Sequence, residues 1–162
     1  MDNADSYQIS ITMSDVPLFG TFTMTTQIDG NIQYTPKILF NDEEYIETVG
    51  DVKYKYTKNE SGKWSKEIDN EADNDSMGVS DDSMEDFFNP DNFEKVKDAE
   101  NTYKQKEGVN FDEYNDVKII INDDSCTIEM SATSEGMVFG VKIVISKINE
   151  IELTLPTVDW CA

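Results

Sequence analysis

Clustered carboxylates between residues 67 and 86 are the first groups in this chain whose spacing suggests chemistry. Nine of these residues are acidic and none is lysine, and hard cations such as calcium prefer carboxylate oxygens. An EF-hand loop needs glycine at its sixth position and glutamate at its twelfth. Loops counted from Asp69 and from Asp73 instead end on Ser80 and Met84. The sequence therefore predicts no metal site of this type, and a looser cation site on the same carboxylates is the alternative.

Nucleophilic and general-base catalysis lack their usual side chains in this sequence. All 13 basic residues are lysine, and the chain contains neither histidine nor arginine. Without an imidazole, a cysteine nucleophile has no partner base, and without a guanidinium there is no bidentate site for carboxylate or phosphate. The 34 acidic residues make carboxylate pairs inevitable, so such pairs do not indicate glycoside hydrolysis. We expect a protein without enzymatic activity and without a cofactor.

The two cysteines allow two interpretations. A bridge between Cys126 and Cys161 would close a loop that stabilises the chain by about 4 kcal/mol. The favoured interpretation makes Cys126 a small buried apolar residue on a strand. Cys161 is then a thiol in the C-terminal tail, where chains usually fray.

The net charge of −21 limits the partners of the protein. Nucleic-acid phosphates and anionic membrane surfaces both repel such a chain. No run of about 18 apolar residues is present, so no segment is predicted to span a bilayer. Met1 is followed at once by the polar residues DNADS rather than by an export signal. The protein is therefore either cytosolic or exported with its signal removed, and we favour export.

Alternation of apolar and polar residues near the C-terminus predicts the elements that organise the fold. Four runs alternate with a period of two, which is typical of half-buried antiparallel strands. These runs are residues 116–122, 126–133, 137–146 and 150–155. One face of this predicted meander is apolar, with Ile128, Met130 and Phe139 among its members. An apolar face needs a cover, and the nature of that cover decides the function.

The same alternation predicts strands earlier in the chain. These strands are residues 7–14, 19–28, 31–40, 43–49 and 52–58, with a further strand around Trp64. Asp29-Gly30 is the strongest hairpin signal, and Pro36 favours an edge or a bulge. Residues 93–107 suit helix or strand, and we favour strands. Residues 83–88 predict one or two helical turns, because Ser83 is a suitable N-cap.

Together these elements predict a mainly β (α+β) fold. We expect a single strongly curved antiparallel sheet, or half-barrel, of about ten strands with one or two short helices on its concave side. Residues 1–162 are interpreted as one domain, since the length suits one domain and 38% apolar residues are enough for its core. Residues 67–83 are expected to form an acidic mobile loop within it.

Helices this short leave much of a wide sheet uncovered, so the sequence predicts an apolar cavity. The residues expected to line it are Phe22, Tyr54, Tyr56, Trp64, Phe87, Phe88, Met130 and Phe139. The alternative is that these side chains simply fill the core and leave no cavity.

The order of the elements resembles that of a known family. An aromatic hairpin (residues 54–66, with YKY and KWSK) precedes a segment with a short helix (residues 84–93, MEDFFNPDNF) and a meander ending in IELTLP (residues 151–156). This pattern, from about Tyr7 to Pro156, is similar to that of the LolA/LppX-like group of exported lipoproteins and lipoprotein carriers. The resemblance implies an incomplete antiparallel barrel plugged by short helices. It also implies that acyl chains or lipoproteins are held in an apolar cavity.

Two family features are missing near Met1 or lie upstream of it, namely an amino-terminal helix and a lipid-attachment cysteine. We nevertheless expect a non-enzymatic lipoprotein ectodomain of the bacterial cell envelope. It would be monomeric, either secreted or anchored at the outer face of the cytoplasmic membrane through a tether outside this sequence. Its ligand would be a lipid or acyl chain bound by burial, at about 0.8 kcal/mol per methylene. The alternative is a protein-interaction or structural ectodomain with a filled core and no small-molecule ligand.

Overall fold

The structure is a computed structural model that describes residues 5–38, 42–69, 89–111, 113–134 and 136–158. These ranges contain eleven strands: β1 (Ser6–Val16), β2 (Gly20–Asp29), β3 (Ile32–Thr35), β4 (Glu44–Val49), β5 (Val52–Lys58), β6 (Trp64–Ile68), β7 (Phe93–Lys95), β8 (Thr102–Gln105), β9 (Tyr114–Ile121), β10 (Cys126–Ser134) and β11 (Met137–Ser146). The helical part of the described chain is a single 3-10 turn, Pro90–Asn92, in which the Asp91 N–H donates to the Asn89 side chain.

All eleven strands belong to one antiparallel sheet. The strand order is β6-β5-β4-β3-β2-β1-β11-β10-β9-β8-β7, so β6 and β7 are its edge strands. Most neighbours are consecutive in the chain, because short hairpin turns join antiparallel strands directly. The predicted mainly β class and antiparallel sheet are confirmed, with eleven strands instead of about ten. The helical turns predicted over residues 83–88 lie outside the described residues.

The chain divides into two compact units. Unit 1 comprises Met1–Ile9, Thr25–Asn74 and Lys147–Ala162, and unit 2 comprises Ser10–Met24 and Asp75–Ser146. The long strands β1 and β2 contribute residues to both units. The interpretation of residues 1–162 as one domain stays a prediction.

In unit 2 the predicted alternation of β10 is confirmed. Its buried residues are Cys126, Ile128, Met130 and Ala132. The neighbouring strand β11 follows the same pattern, since Met130 pairs with Val141 and Ile128 pairs with Ile143. Side chains that share one side of paired strands contact each other across the pair. The core of unit 2 is therefore assembled from alternate residues of adjacent strands.

Strand β9 contains a bulge that adjusts this core. Asp116 and Val117 together stand opposite Met130 of β10. Asp116 has a φ of 56°, a left-handed conformation that one class of bulge uses and that aspartate tolerates better than most residues. The extra residue turns Val117 into the core, where it is 0% exposed. It also shifts the alternation, so that Tyr114 rather than Asn115 packs against the core.

The last predicted strand of the meander, residues 150–155, is wrong. Both sides of β11 are already occupied by β10 and β1, so no backbone edge is left for a further strand. The segment is held by side chains instead. The Ile151 N–H donates to Ser6 Oγ at 3.1 Å, and the Leu153 N–H donates to Asp29 Oδ2 at 2.8 Å.

In unit 1 the turns define the strands. Gly30 and Asn31 form the β2–β3 turn, with a φ of 55° at Gly30, and a second tight turn at Gly50 joins β4 to β5. Both predicted hairpins are confirmed, but the first turn lies one residue later than the predicted Asp29-Gly30, because Asp29 pairs with Ile32. Strand β3 ends at Thr35, which makes it shorter than predicted, because Pro36 has no N–H to donate to a neighbouring strand.

Strand β6 continues to Ile68, so residues 67 and 68 of the predicted acidic loop belong to a strand. Residues 70–83 of that predicted loop lie outside the described ranges. The ambiguous residues 93–107 contain β7 and β8, which confirms the strand interpretation.

Candidate ligand-binding surface

The apolar side of unit 2 is the largest set of apolar side chains that the described strands bring together. Its buried members are Phe111, Val117, Cys126, Ile128, Met130, Ala132 and Val141. Partly buried side chains packed against them include Ile11, Ile119, Phe139, Ile143 and Ile145. We call this set the unit 2 core face. Two predicted cavity residues belong to it, because Met130 pairs with Val141 and Phe139 pairs with Ala132.

Part of the unit 2 core face is covered by Phe93 and the connection between β8 and β9. The Phe93 and Phe111 rings are stacked with centroids 5.7 Å apart, and both pack against the buried residues of the face. Gln105 holds this connection in place: its Nε2 donates to the Val109 carbonyl at 2.8 Å. Its Oε1 accepts from the Val117 N–H at 3.2 Å. One amide side chain therefore fixes the cover to the β9 bulge.

Several aliphatic side chains of the same face keep part of their surface exposed. Ile119 and Ile143 flank the buried Ile128, and each is only partly buried. Ile121, which pairs with Cys126, is 49% exposed. Partly exposed aliphatic groups beside fully buried ones provide apolar surface for a ligand to cover.

Cys126 is a free thiol in the structure and is buried on the unit 2 core face. Burial raises the pKa of this thiol, because a thiolate is poorly solvated among aliphatic groups. The side chain is therefore protonated and a poor nucleophile near neutral pH. This matches the favoured sequence interpretation of Cys126, while Cys161 lies outside the described residues.

In unit 1 a row of tyrosines crosses three strands. Tyr34 pairs with Tyr45, and Tyr45 pairs with Tyr56. The first two rings lie 4.6 Å apart, and Trp64 meets Tyr45 edge-on at 5.4 Å. Tyr56 and Trp64 are among the predicted cavity residues, whereas Tyr34 and Tyr45 are not. The pairing of Tyr45 with Tyr56 was available from the sequence, because the turn at Gly50 fixes which residues of β4 and β5 face each other. The pairing of Tyr34 with Tyr45 required the structure.

Beside this row, Glu47 accepts two hydrogen bonds. The Tyr56 hydroxyl donates to it at 2.6 Å, and Lys66 Nζ donates at 3.0 Å. These bonds hold the pKa of Glu47 below its usual value. Burial, with the bond to Glu47, raises the pKa of Tyr56. The bonds to Tyr56 and Glu47 raise the pKa of Lys66. All three groups therefore keep their ordinary charge at neutral pH, and the arrangement is suited to holding strands together rather than to proton transfer.

Lys66 also links two predicted cavity residues. Its Nζ lies 4.0 Å from the centroid of the Tyr54 ring and 5.0 Å from that of the Tyr56 ring. At these distances the ammonium is attracted to the ring faces. Both tyrosines are thus fixed by contacts within unit 1.

Residues 151–158, which we call the strap, run along unit 1 after β11. Ile151, Leu153 and Leu155 are partly buried, while the residues between them are exposed. A parallel bridge joins Val158 to Trp64 of β6. Together with the two side-chain hydrogen bonds of its first half, this bridge attaches the strap at both of its ends.

The predicted cavity residues are divided between the two units. Tyr54, Tyr56 and Trp64 belong to unit 1, and Phe22, Met130 and Phe139 belong to unit 2. Phe87 and Phe88 lie outside the described residues. A cavity lined by all of these side chains stays a prediction.

Over the described ranges, no group of three or more His, Cys, Asp or Glu side chains is placed to hold a metal ion. Most of the predicted acidic loop lies outside those ranges. Among the residues that the structure describes, no helix has the length and hydropathy that a bilayer span requires.

Neither the models of known protein families nor the curated proteins match this chain. The function is therefore inferred from the unit 2 core face and from the contacts of unit 1.

Proposed function

We propose that this chain is a non-enzymatic binding protein of the bacterial cell envelope, a lipoprotein ectodomain of the LolA/LppX-like type. In this proposal the sheet curves into a half-barrel, and short helices lie on its concave side. The protein is secreted or tethered at the outer face of the cytoplasmic membrane, and it holds a lipid or another apolar ligand.

The observation that supports this proposal most is the incomplete burial of the unit 2 core face. Ile119 and Ile143 stay partly exposed although they flank the buried Ile128. Phe93 and Phe111 pack on the same core face. Among the described residues, they do not bury these two isoleucines completely. Aliphatic surface of this kind favours an apolar occupant over a polar one.

Burial alone supplies enough free energy for such a ligand. Each methylene removed from water contributes about 0.8 kcal/mol, so an acyl chain gains several kcal/mol without a charged partner. In unit 1, Glu47 is already bound to Tyr56 and Lys66. The proposal therefore assigns affinity to apolar contact and assigns no role to a catalytic group.

The experiment is a titration of the purified protein with a fluorescent fatty acid, combined with solvent extraction and mass spectrometry of the unlabelled protein. We expect saturable binding that native lipid displaces. Phe139→Ser, on the unit 2 core face, should weaken binding by about tenfold or more. Val138→Ser is the matched control, because Val138 is the preceding residue, points to the opposite side and is 64% exposed. It should bind as the wild type does.

Phe139→Leu is the control for unfolding. It keeps an apolar side chain at this position and should retain most of the affinity. An absence of saturable binding by the wild-type protein, together with a lipid-free extract, would contradict the proposal. That outcome would favour the alternative of an interaction or structural ectodomain with a filled core.

A further inference from the structure

One end of unit 2 carries exposed apolar side chains that the proposed ligand site does not use. In the β1–β2 turn, Leu18 is 101% exposed and Phe19 is 58% exposed. At the start of β11, Met137 is 42% exposed and Val138 is 64% exposed. We call these four residues the apolar tip.

The two parts of the apolar tip lie at the same end of the sheet. Strands β1 and β11 are antiparallel neighbours. Gly140 passes so close to the Ser14 hydroxyl that a Cβ at position 140 would collide with it. Val16, the last residue of β1, lies two residues after Ser14, and Val138 of β11 lies two residues before Gly140. The β1–β2 turn and the first residues of β11 therefore project together.

Few charged residues lie in the strands that lead to this end. Asp15 is the one charged residue of Ser10–Met24, and Glu135 is the one charged residue of residues 131–141. In the whole chain 29% of the residues are charged. A segment that enters a medium of low dielectric constant must avoid charge, because the desolvation of an ion is costly. The four side chains of the apolar tip carry no charge themselves. Asp15 and Glu135 flank them in the sequence, and the Glu113 carbonyl accepts from the N–H of Thr133, which pairs with Val138. These carboxylates would have to stay in the headgroup layer, which limits any insertion to a shallow depth.

The backbone directs Leu18 away from the protein. Leu18 has a φ of 72°, which is unusual for a bulky residue and is unfavourable unless the surroundings impose it. The turn is closed by the Phe19 N–H, which donates to the Val16 carbonyl at 3.1 Å. Burial of the Leu18 side chain does not compensate for this conformation, since the side chain is fully exposed. The exposure of Leu18 is thus a feature that the fold maintains at a cost.

We propose that the apolar tip inserts into the boundary between headgroups and acyl chains of a membrane rich in zwitterionic lipid. A fully exposed side chain on a projecting turn suits a fluid layer that surrounds it, whereas a folded partner would need a preformed pocket. The net charge of −21 disfavours an anionic surface. A contact of four side chains is weak by itself and acts together with a second attachment. The inference does not depend on a ligand at the unit 2 core face.

The direct test places a fluorescent reporter at the tip. Leu18→Trp is titrated with vesicles of phosphatidylcholine at millimolar lipid, and the wild type supplies the baseline from Trp64 and Trp160. We expect a blue shift of the emission and quenching by lipids brominated near the headgroup. Replacement of part of the phosphatidylcholine by phosphatidylglycerol should weaken the response at low salt, because it adds negative charge.

Vesicle flotation of the full chain compares two double variants. Leu18→Ser with Phe19→Ser should lower the partition coefficient by about tenfold or more, because it removes most of the apolar area of the tip. Val49→Ser with Val52→Ser is the matched control, since it removes two exposed apolar residues, 51% and 37% exposed, from the β4–β5 turn. The control should float as the wild type does. The tip variant should still bind the fluorescent fatty acid, which separates this inference from the proposed function.

Three results would overturn the inference. The first is an emission spectrum of the Leu18→Trp variant that does not shift when vesicles are added. The second is an equal loss of flotation in both double variants, which would show non-specific adsorption. The third is self-association without lipid that the tip variant abolishes, which would assign the tip to a second copy of the chain.

Discussion

At the scale of single residues, Val117 makes the strongest prediction about stability. It is 0% exposed and sits at the β9 bulge, so its removal leaves a void that the surrounding strands cannot easily close. We expect Val117→Ala to lower the free energy of unfolding by about 2 kcal/mol. Val138→Ala is the matched control in the same unit, because it deletes the same atoms from a 64% exposed position. Urea denaturation of both variants checks the prediction, and equal losses would show that strand propensity rather than burial decides the effect.

Glu47 predicts a pH dependence of stability. Because its pKa is lowered in the folded state by Tyr56 and Lys66, its contribution is fully present above the unfolded pKa of about 4.5 and is lost as the pH falls through the folded value. Glu47→Gln should lower the free energy of unfolding by about 2 kcal/mol at neutral pH. The difference from the wild type should shrink below pH 4.5.

Denaturation curves between pH 3 and 7 measure this difference. Tyr56→Phe removes the hydrogen bond that contributes most to the lowered pKa, so it should reproduce part of the effect. A difference between Glu47→Gln and the wild type that stays constant down to pH 3 would contradict the argument.

Some residues that matter at this scale could not be predicted from the sequence. Gln105 looks like a polar residue of a short strand, and only the fold places its amide between Val109 and Val117. The positive φ of Asp116 also has no local signal, since the bulge arises from the register of β9 against β10. Burial of Cys126, by contrast, follows from alternation within one strand, and it was predicted correctly.

At the scale of elements, the strap is the segment whose attachment is easiest to test. The Leu153 N–H donates to the carboxylate of Asp29 at 2.8 Å, and a hydrogen bond to a charged group contributes about 2 kcal/mol. Asp29→Ala should release the first half of the strap. We expect faster amide exchange in residues 150–158 and a loss of stability of about that size.

Hydrogen exchange with mass spectrometry follows the peptide that contains the strap. Asp51→Ala is the matched control, because Asp51 is an exposed aspartate of a hairpin turn in the same unit. Asp29→Asn retains an acceptor oxygen and should recover part of the protection. Unchanged exchange in Asp29→Ala would mean that the apolar side of the strap holds it without this bond.

The strap also shows where sequence patterns lose information about elements. Residues 150–155 alternate as well as the true strands do, yet β10 and β1 already occupy both sides of β11. Alternation reports that one side is buried and does not report whether a backbone partner exists. The strands and hairpins of unit 1 were predictable because turn residues such as Gly30 and Gly50 define their ends. The division of the predicted cavity residues between two units required the topology.

At the scale of the whole molecule, the net charge should decide how stability depends on salt. The net charge of −21 opposes the compact state through self-repulsion. Ion pairs act in the opposite direction, as at Glu129, which lies 3.4 Å from Lys118 and 3.2 Å from Lys142. Such pairs are partly exposed, and each contributes little in water. Salt weakens both effects, so the sign of the salt dependence shows which one prevails.

We expect sodium chloride to stabilise the protein. Repulsion among the 21 excess negative charges should cost more free energy than the partly exposed ion pairs contribute, and salt screens that repulsion. Between low salt and about 0.5 M, Tm should rise by roughly 2–4 °C, which corresponds to about 1 kcal/mol for a chain of this size. Calorimetry with choline chloride at the same ionic strength is the control, since screening does not depend on the cation. A fall in Tm would show that ion pairs such as Lys66–Glu47 outweigh the repulsion, and a much larger rise with calcium at matched ionic strength would indicate a specific cation site.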